Sequence, residues 1–154
     1  MTIYDAFIYS ILNYAVEIYA NTNNSIIHSL DVLNNSILRI IINKKEHISN
    51  YNLHNQCNTL PIHQLHKLKT LQFVHNFVHS NLKLPEFFQT YFVFTKNIHS
   101  HSLRNSNNLF LTSPNSNMGK RNLQFKCSNI WNSLETELKS IKSRNKYVKN
   151  FKVN

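Results

Sequence analysis

The chain has 154 residues, 42% of them hydrophobic and 12% aromatic, which is enough apolar surface for one modest core and, by length, argues for one domain. A single glycine and three prolines are too few for the tight turns of an all-β fold, and two cysteines, Cys57 and Cys127, build neither a disulfide framework nor a four-cysteine zinc site. The net charge of +10, from 17 Lys+Arg against 7 Asp+Glu, points to a polyanionic partner, nucleic acid before any other, although the surplus alone does not choose between DNA, RNA and an anionic membrane.

The composition predicts an all-α fold, and the apolar spacing places its helices. Ile3, Phe7, Ile8, Ile11, Leu12, Ala15, Ile18 and Tyr19 form a helical stripe, predicting a first helix over 2–20 with Tyr4, Tyr9, Tyr14, Asp5 and Glu17 on the other side. Polar residues 21–24 break it. Ser25 is a good cap for a second helix over 25–42, whose stripe is Ile26, Leu30, Leu33, Ile37, Ile40 and Ile41, so the two helices should be antiparallel neighbours. Residues 43–58 are polar and read as a connector with at most a helical turn around Tyr51 and Leu53.

The spine of the fold is predicted over 61–82, where Leu60, Pro61, Ile62, Leu65, Leu68, Leu71, Val74, Phe77 and Val78 recur at three- and four-residue steps over about five turns. Pro61 suits a helix start, and Pro85 closes the segment. A short helix over 85–92 begins on that proline, with a strand as the alternative because of its aromatic density. From Thr95 to about Lys120 the chain is rich in Asn, Ser and His and contains Pro114 and Gly119, so a long irregular excursion is expected. Leu123, Cys127, Ile130, Trp131, Leu134 and Leu138 restore the helical period over 121–138, with Trp131 as the anchor buried against the spine. The single helical domain thus covers 1–138. Residues 139–154 form a basic C-terminal tail, helical after Ser143, in which Tyr147, Val148 and Phe151 make an apolar strip.

Chemistry is harder to find than fold. His63 with His66, and His75 with His79, have the three- and four-residue spacing at which two imidazoles face one ion, but no nearby acid or thiol completes a ligand set, so ordinary half-buried histidines are the simpler reading and no metal site is assigned. Two-metal phosphoryl transfer needs converging carboxylates, and the only aspartates, Asp5 and Asp31, are far apart. One glycine cannot make a phosphate-cradling loop, and no triad is arranged around a strained nucleophile turn. The residue pattern therefore points away from an enzyme, with no catalytic residue, no cofactor and no small-molecule substrate. Asp5 and Glu17 interrupt the apolar N-terminus, no basic leader precedes it, and no uninterrupted apolar run approaches the ~20 residues of a membrane span, so an intracellular location, nuclear or cytoplasmic, is expected.

Several short motifs follow one another in an order that carries a resemblance: Ser10-Ile11-Leu12-Asn13-Tyr14-Ala15-Val16-Glu17-Ile18-Tyr19, Asn34-Asn35-Ser36-Ile37-Leu38-Arg39-Ile40-Ile41, Leu60-Pro61-Ile62, Leu84-Pro85, His99-Ser100-His101-Ser102-Leu103-Arg104, Trp131-Asn132-Ser133-Leu134 and Phe151-Lys152. Over nearly its whole length the chain resembles the region downstream of the reverse transcriptase domain in non-LTR retrotransposons of the LINE, jockey-like class. Asn34 stands where that family usually has Gln, Tyr19 where it has Trp, and Glu135 where it has Pro. The resemblance implies a detached C-terminal, thumb-like fragment of an RNA-directed DNA polymerase, from a decayed or truncated element, without its catalytic carboxylates. It further implies contact with template RNA or target DNA, and with the rest of a reverse transcriptase.

Basic density peaks at Lys139, Lys142, Arg144, Lys146 and Lys149, and these residues, with Lys120, Arg121 and the Arg104 of the histidine motif, are the candidate nucleic-acid contacts. A solvated tail is the plainer reading of the same run. The competing function class is a helical protein-interaction or structural module without a nucleic acid ligand.

Overall fold

A computed structural model describes residues 2–43, 49–79, 90–98, 107–143 and 145–148. The chain is all-α: among the described residues the only extended pairing is one isolated antiparallel bridge, Phe94 with Leu109. It divides into two compact units, residues 1–67 and 68–154, where the sequence suggested one body over 1–138 and a tail.

In unit 1 the first helix, α1, spans 2–13 and passes from Thr2–Tyr4 through a π-helical Asp5–Tyr9 into Ser10–Asn13. It stops at Tyr14, and Ala15 adopts a left-handed φ of 51° before α2, Val16–Tyr19. This interruption, absent from the expected 2–20 helix, has a geometric reason. Tyr4, Ile8, Leu12, Val16 and Ala20 recur every fourth residue and all pack inward. An ideal α-helix turns ~40° past alignment at each four-residue step, so the wider π turn and the break at Ala15 together keep the set on one side. Tyr19 replaces part of the lost ladder by donating its hydroxyl to the Leu12 carbonyl at 2.6 Å.

Helix α3, Asn24–Ile42, is capped by Asn23 in extended conformation rather than by Ser25, and closes on Asn43 in the left-handed conformation common after helices. It runs antiparallel to α1, as its partners show: Tyr4 of α1 shares a cluster with Leu38, while Leu12 shares another with Ile27 and Leu30. Its inward side also carries polar residues. Asn34 accepts from the Tyr4 hydroxyl at 2.7 Å, Asn35 accepts from His54 Nε2 at 2.9 Å, and Asp31 accepts the Ile62 backbone N–H at 3.0 Å. The stripes expected to be buried are correspondingly corrected, because Ile3, Phe7, Ile11 and Ile18 of the first two helices and Ile26, Leu33 and Ile40 of α3 all face outward. The expected stripe of α3 is thus split, with Leu30 and Ile37 packed inward beside the polar residues and Ile26, Leu33 and Ile40 left outside. This is also the one described helix long and apolar enough to cross a membrane by length and composition, with a mean hydropathy of 1.2 and 17% of that window buried.

The expected connector contains a full helix, α4, Asn50–Cys57, whose first turn is capped by Ser49 Oγ and whose end is closed by left-handed Asn58. Its Leu53 and Cys57 complete a cluster with Tyr4 and Leu38. Helix α5, Ile62–His79, follows Pro61 as predicted. The Pro61 carbonyl takes the Leu65 N–H, and Asp31 satisfies the N–H of Ile62 that the helix start leaves open. Ile62 and Leu65 pack in unit 1, and Leu71 and Val74 in unit 2. The expected end of this helix at 82, the Leu84-Pro85 closure and most of the expected 85–92 helix lie outside the described residues.

Unit 2 is built around aromatic side chains. Phe92 meets Phe73, Phe77 and Tyr91 edge-on, with centroids at 5.9, 5.1 and 5.1 Å. After a 3-10 turn at Thr95–Asn97 and another at Gly119–Arg121, helix α6 runs over Leu123–Asn132 from an Asn122 cap, and α7 over Thr136–Ser140. The expected continuous 121–138 helix is thus two, separated by Ser133–Glu135, and a last helical turn follows at 145–148. Gly119 is required by a close approach: a Cβ there would lie 2.7 Å from the Pro114 Cβ.

Candidate nucleic-acid interface

The 139–148 stretch is not a free tail. Lys139 and Ile141 present their carbonyls to α5, where His79 Nε2–H and His75 Nε2–H donate to them, both at 2.7 Å. Because a carbonyl only accepts, each imidazole carries its proton on Nε2. Tyr147 then enters the core, its ring 4.7 Å from that of His75, and burial pushes its phenol well above the ordinary range. The His79 and Trp131 ring centroids are 6.3 Å apart, and buried His75 and half-buried His79 serve as docking points for this segment. Among the described residues, no group of three or more metal-ligating side chains comes together.

Trp131 and its neighbour Asn132 are structural in complementary ways. Trp131 is 1% exposed and joins Leu71, Val74, Phe92, Leu109, Cys127 and Tyr147, as its apolar period predicted. Asn132 holds the far end of the excursion: its amide accepts the Leu109 N–H at 2.9 Å and donates to the Leu109 carbonyl at 2.8 Å. On the opposite edge of Leu109, Phe110 N–H donates to Val93 and Thr95 N–H to Asn108, so the chain at Leu109 is held by a backbone bridge on one edge and a side-chain amide on the other. Gln124 adds a hydrogen bond to the Tyr91 carbonyl.

The candidate cations divide into different environments. Lys139 is half-buried and donates to Asn108 Oδ1 at 3.2 Å and to the Asn132 carbonyl at 3.1 Å, and burial draws its ammonium below the ordinary lysine value. It ties the docked segment to the excursion and to α6. Lys142 and Lys146 project from the same segment and are exposed, as is Lys120 in the 3-10 turn before α6. Arg121 is half-buried, and its guanidinium, after burial itself, helps lower the ammonium of Lys126 on α6. Lys126 stands singly among apolar and polar residues of the Trp131 helix, so no basic run marks it in the sequence. Lys96 reaches over the Phe94 ring at 5.3 Å. Arg104, Arg144, Lys149 and the His99-Ser100-His101 motif lie outside the described residues.

Charge is not shared evenly between the units. Unit 1 contains four Lys+Arg and four Asp+Glu, and unit 2 thirteen and three, so the entire excess of +10 belongs to unit 2. No protein-family model, no curated protein and no solved structure matches the chain.

Proposed function

We propose that the chain is a noncatalytic nucleic-acid-contacting module, in which the basic segment of unit 2 holds the phosphate backbone of RNA or DNA. The observation that carries this is the concentration of all surplus charge in unit 2 together with the docking of its most basic segment by His75, His79 and Tyr147. A docked segment presents Lys142 and Lys146 at lower entropic cost than a free tail. The resemblance to the region downstream of the polymerase domain in non-LTR retrotransposons points to template RNA or target DNA as the ligand and the remainder of a reverse transcriptase as neighbour. Its motif residues serve here as scaffold: Leu60-Pro61-Ile62 starts α5, Asn34 and Asn35 are buried acceptors, and Trp131-Asn132 builds the core and clamps Leu109.

Binding of fluorescent single-stranded RNA and duplex DNA, measured across a salt series, tests the reading. Affinity should fall steeply with salt, by a log–log slope of roughly 0.7 to 0.9 per phosphate neutralised. The combined Lys142→Gln, Arg144→Gln, Lys146→Gln and Lys149→Gln variant should bind more weakly and with a shallower slope. Unchanged affinity and slope in that variant would reject the assignment. The purified chain should also show no template-dependent primer extension with magnesium or manganese.

The second reading, a protein-interaction module, is favoured by one specific observation: the apolar outer face of unit 1. A salt-independent partner and no nucleic acid binding would select it.

A further inference from the structure

Unit 1 buries one side of its α1–α2 segment and leaves large apolar residues of the other side in water. Ile3, Phe7, Ile11, Tyr14 and Ile18 are between 66% and 81% exposed, although Tyr4, Leu12 and Val16 on the inner side are buried. A helical segment with large apolar residues on two sides is suited to burial on both. Helix α3 repeats the pattern with Ile26, Leu33 and Ile40 outward, spaced seven residues apart. Helical geometry sets the two faces side by side. Leu30 and Ile37 pack in the clusters that contain α1 residues, which sets the edge of α3 nearest α1, and Ile26, Leu33 and Ile40 lie one step further round that same edge.

The stripe on α3 has the form of a helix-pairing seam. Ser29 and Ser36 fall between its three large residues at the alternate heptad positions, small enough to admit a neighbour's side chains. Their hydroxyls are already spent on the Ser25 and Val32 carbonyls, at 3.0 and 2.9 Å, so covering the seam strands no donor.

We infer that this face pairs with the same face of a second copy of the chain, making a two-fold dimer through α1 and α3. The area is sufficient. Eight large side chains more than half exposed, at roughly 100 Å² each, offer on the order of 800 Å², the share of one partner in a standard interface and more than the usual largest patch of a monomer. The electrostatics agree, because unit 1 has as many basic as acidic residues and two copies meet without net repulsion, whereas unit 2 at +10 would repel its like. A membrane is the other apolar surface such a face would suit, but interfacial helices carry a basic flank. Residues 2–42 hold one cation, Arg39, against Asp5, Glu17 and Asp31, and its guanidinium is engaged by Asn50 Oδ1 at 2.8 Å. This inference rests on unit 1 and is independent of the nucleic acid reading.

Sedimentation velocity of the full chain over a wide micromolar range tests it. The expected result is a dimer that persists at high salt and that Ile11→Glu and Leu33→Glu each convert to monomer, with far-UV circular dichroism unchanged. Leu33→Ser, which introduces no charge, should weaken the dimer in the same direction and keeps the test valid if a glutamate variant fails to fold. A wild-type monomer throughout the range, or a dimer that survives both glutamate variants, would overturn the inference. So would a monomer that floats with neutral phosphatidylcholine vesicles, which would assign the face to lipid.

Discussion

The two units reach stability by opposite means. Unit 1 places polar side chains at its centre, where Asn34, Asn35, His54, Thr59 and Asp31 are held by hydrogen bonds to Tyr4, to one another and to the start of α5, and it leaves large apolar residues outside. Unit 2 gathers Trp131, Tyr147, Phe92 and their neighbours inside and leaves Lys120, Lys142 and Lys146 in solvent. The contrast teaches that apolar content alone does not identify a core. In unit 1 the buried side is the one whose polar residues find internal partners, since a satisfied polar side chain is buried at little cost and exposed isoleucines are tolerated.

The largest test of this contrast is Trp131→Ala. Removing a fully buried indole costs about 3 to 5 kcal/mol, comparable with the stability of a small domain, so unit 2 should lose its hydrogen-exchange protection and its near-UV signal. Retained protection in α6 would show that the aromatic cluster is not what holds unit 2 together. A smaller loss, roughly 1 to 3 kcal/mol for each, is expected from Asn132→Ala and Asn35→Ala, which strand the Leu109 backbone and the His54 Nε2–H respectively. Equal thermal melts for these variants and the wild type would mean that the buried amides contribute only shape.

Acid should separate the units as well. His54 donates from Nε2 to Asn35 and accepts at Nδ1 from the Thr59 hydroxyl, and burial lowers its pKa from the ordinary 6.5. The unfolded chain therefore takes up the proton first. The contribution of the neutral ring is complete above about 6.5 and declines as the pH falls from there toward the lowered folded value. Thermal melts of the wild type should drop through that window, and His54→Gln should flatten the dependence. The smallest effects distinguish two lysines three residues apart. Lys139→Gln should lower the melting temperature, at a cost of about 1 kcal/mol for its two hydrogen bonds, while Lys142→Gln should stay within ~0.5 kcal/mol of wild type and change only nucleic acid affinity.

Much of the architecture is readable before folding. The helical class, the start of α5 at Pro61, the antiparallel α1 and α3 and the burial of Trp131 all follow from spacing and caps. The choice of buried face in unit 1 does not, since it depends on pairs 30 and 19 residues apart, Tyr4 with Asn34 and Asn35 with His54, that no local period reveals. Helix α4 was hidden because only Leu53 and Cys57 of its eight residues pack as hydrophobic groups. In the candidate interface, Lys139 and Lys142 look alike along the chain. Only the carbonyl of Asn132 and the amide of Asn108, brought together by the Leu109 clamp, make one a strut and leave the other in solvent.

The chain's two cysteines fall one in each unit, Cys57 under α3 and Cys127 beside Trp131, and both are buried and outside any disulfide. Burial also raises the pKa of Cys57, which keeps it in the unreactive protonated form. Each is thereby a built-in clock for the opening of its own surroundings. Alkylation of Cys57 proceeds only when its cluster with Tyr4, Leu38 and Leu53 parts, and alkylation of Cys127 only when the aromatic cluster does, so mass spectrometry of a single pulse-labelled sample yields two opening rates without any probe being introduced.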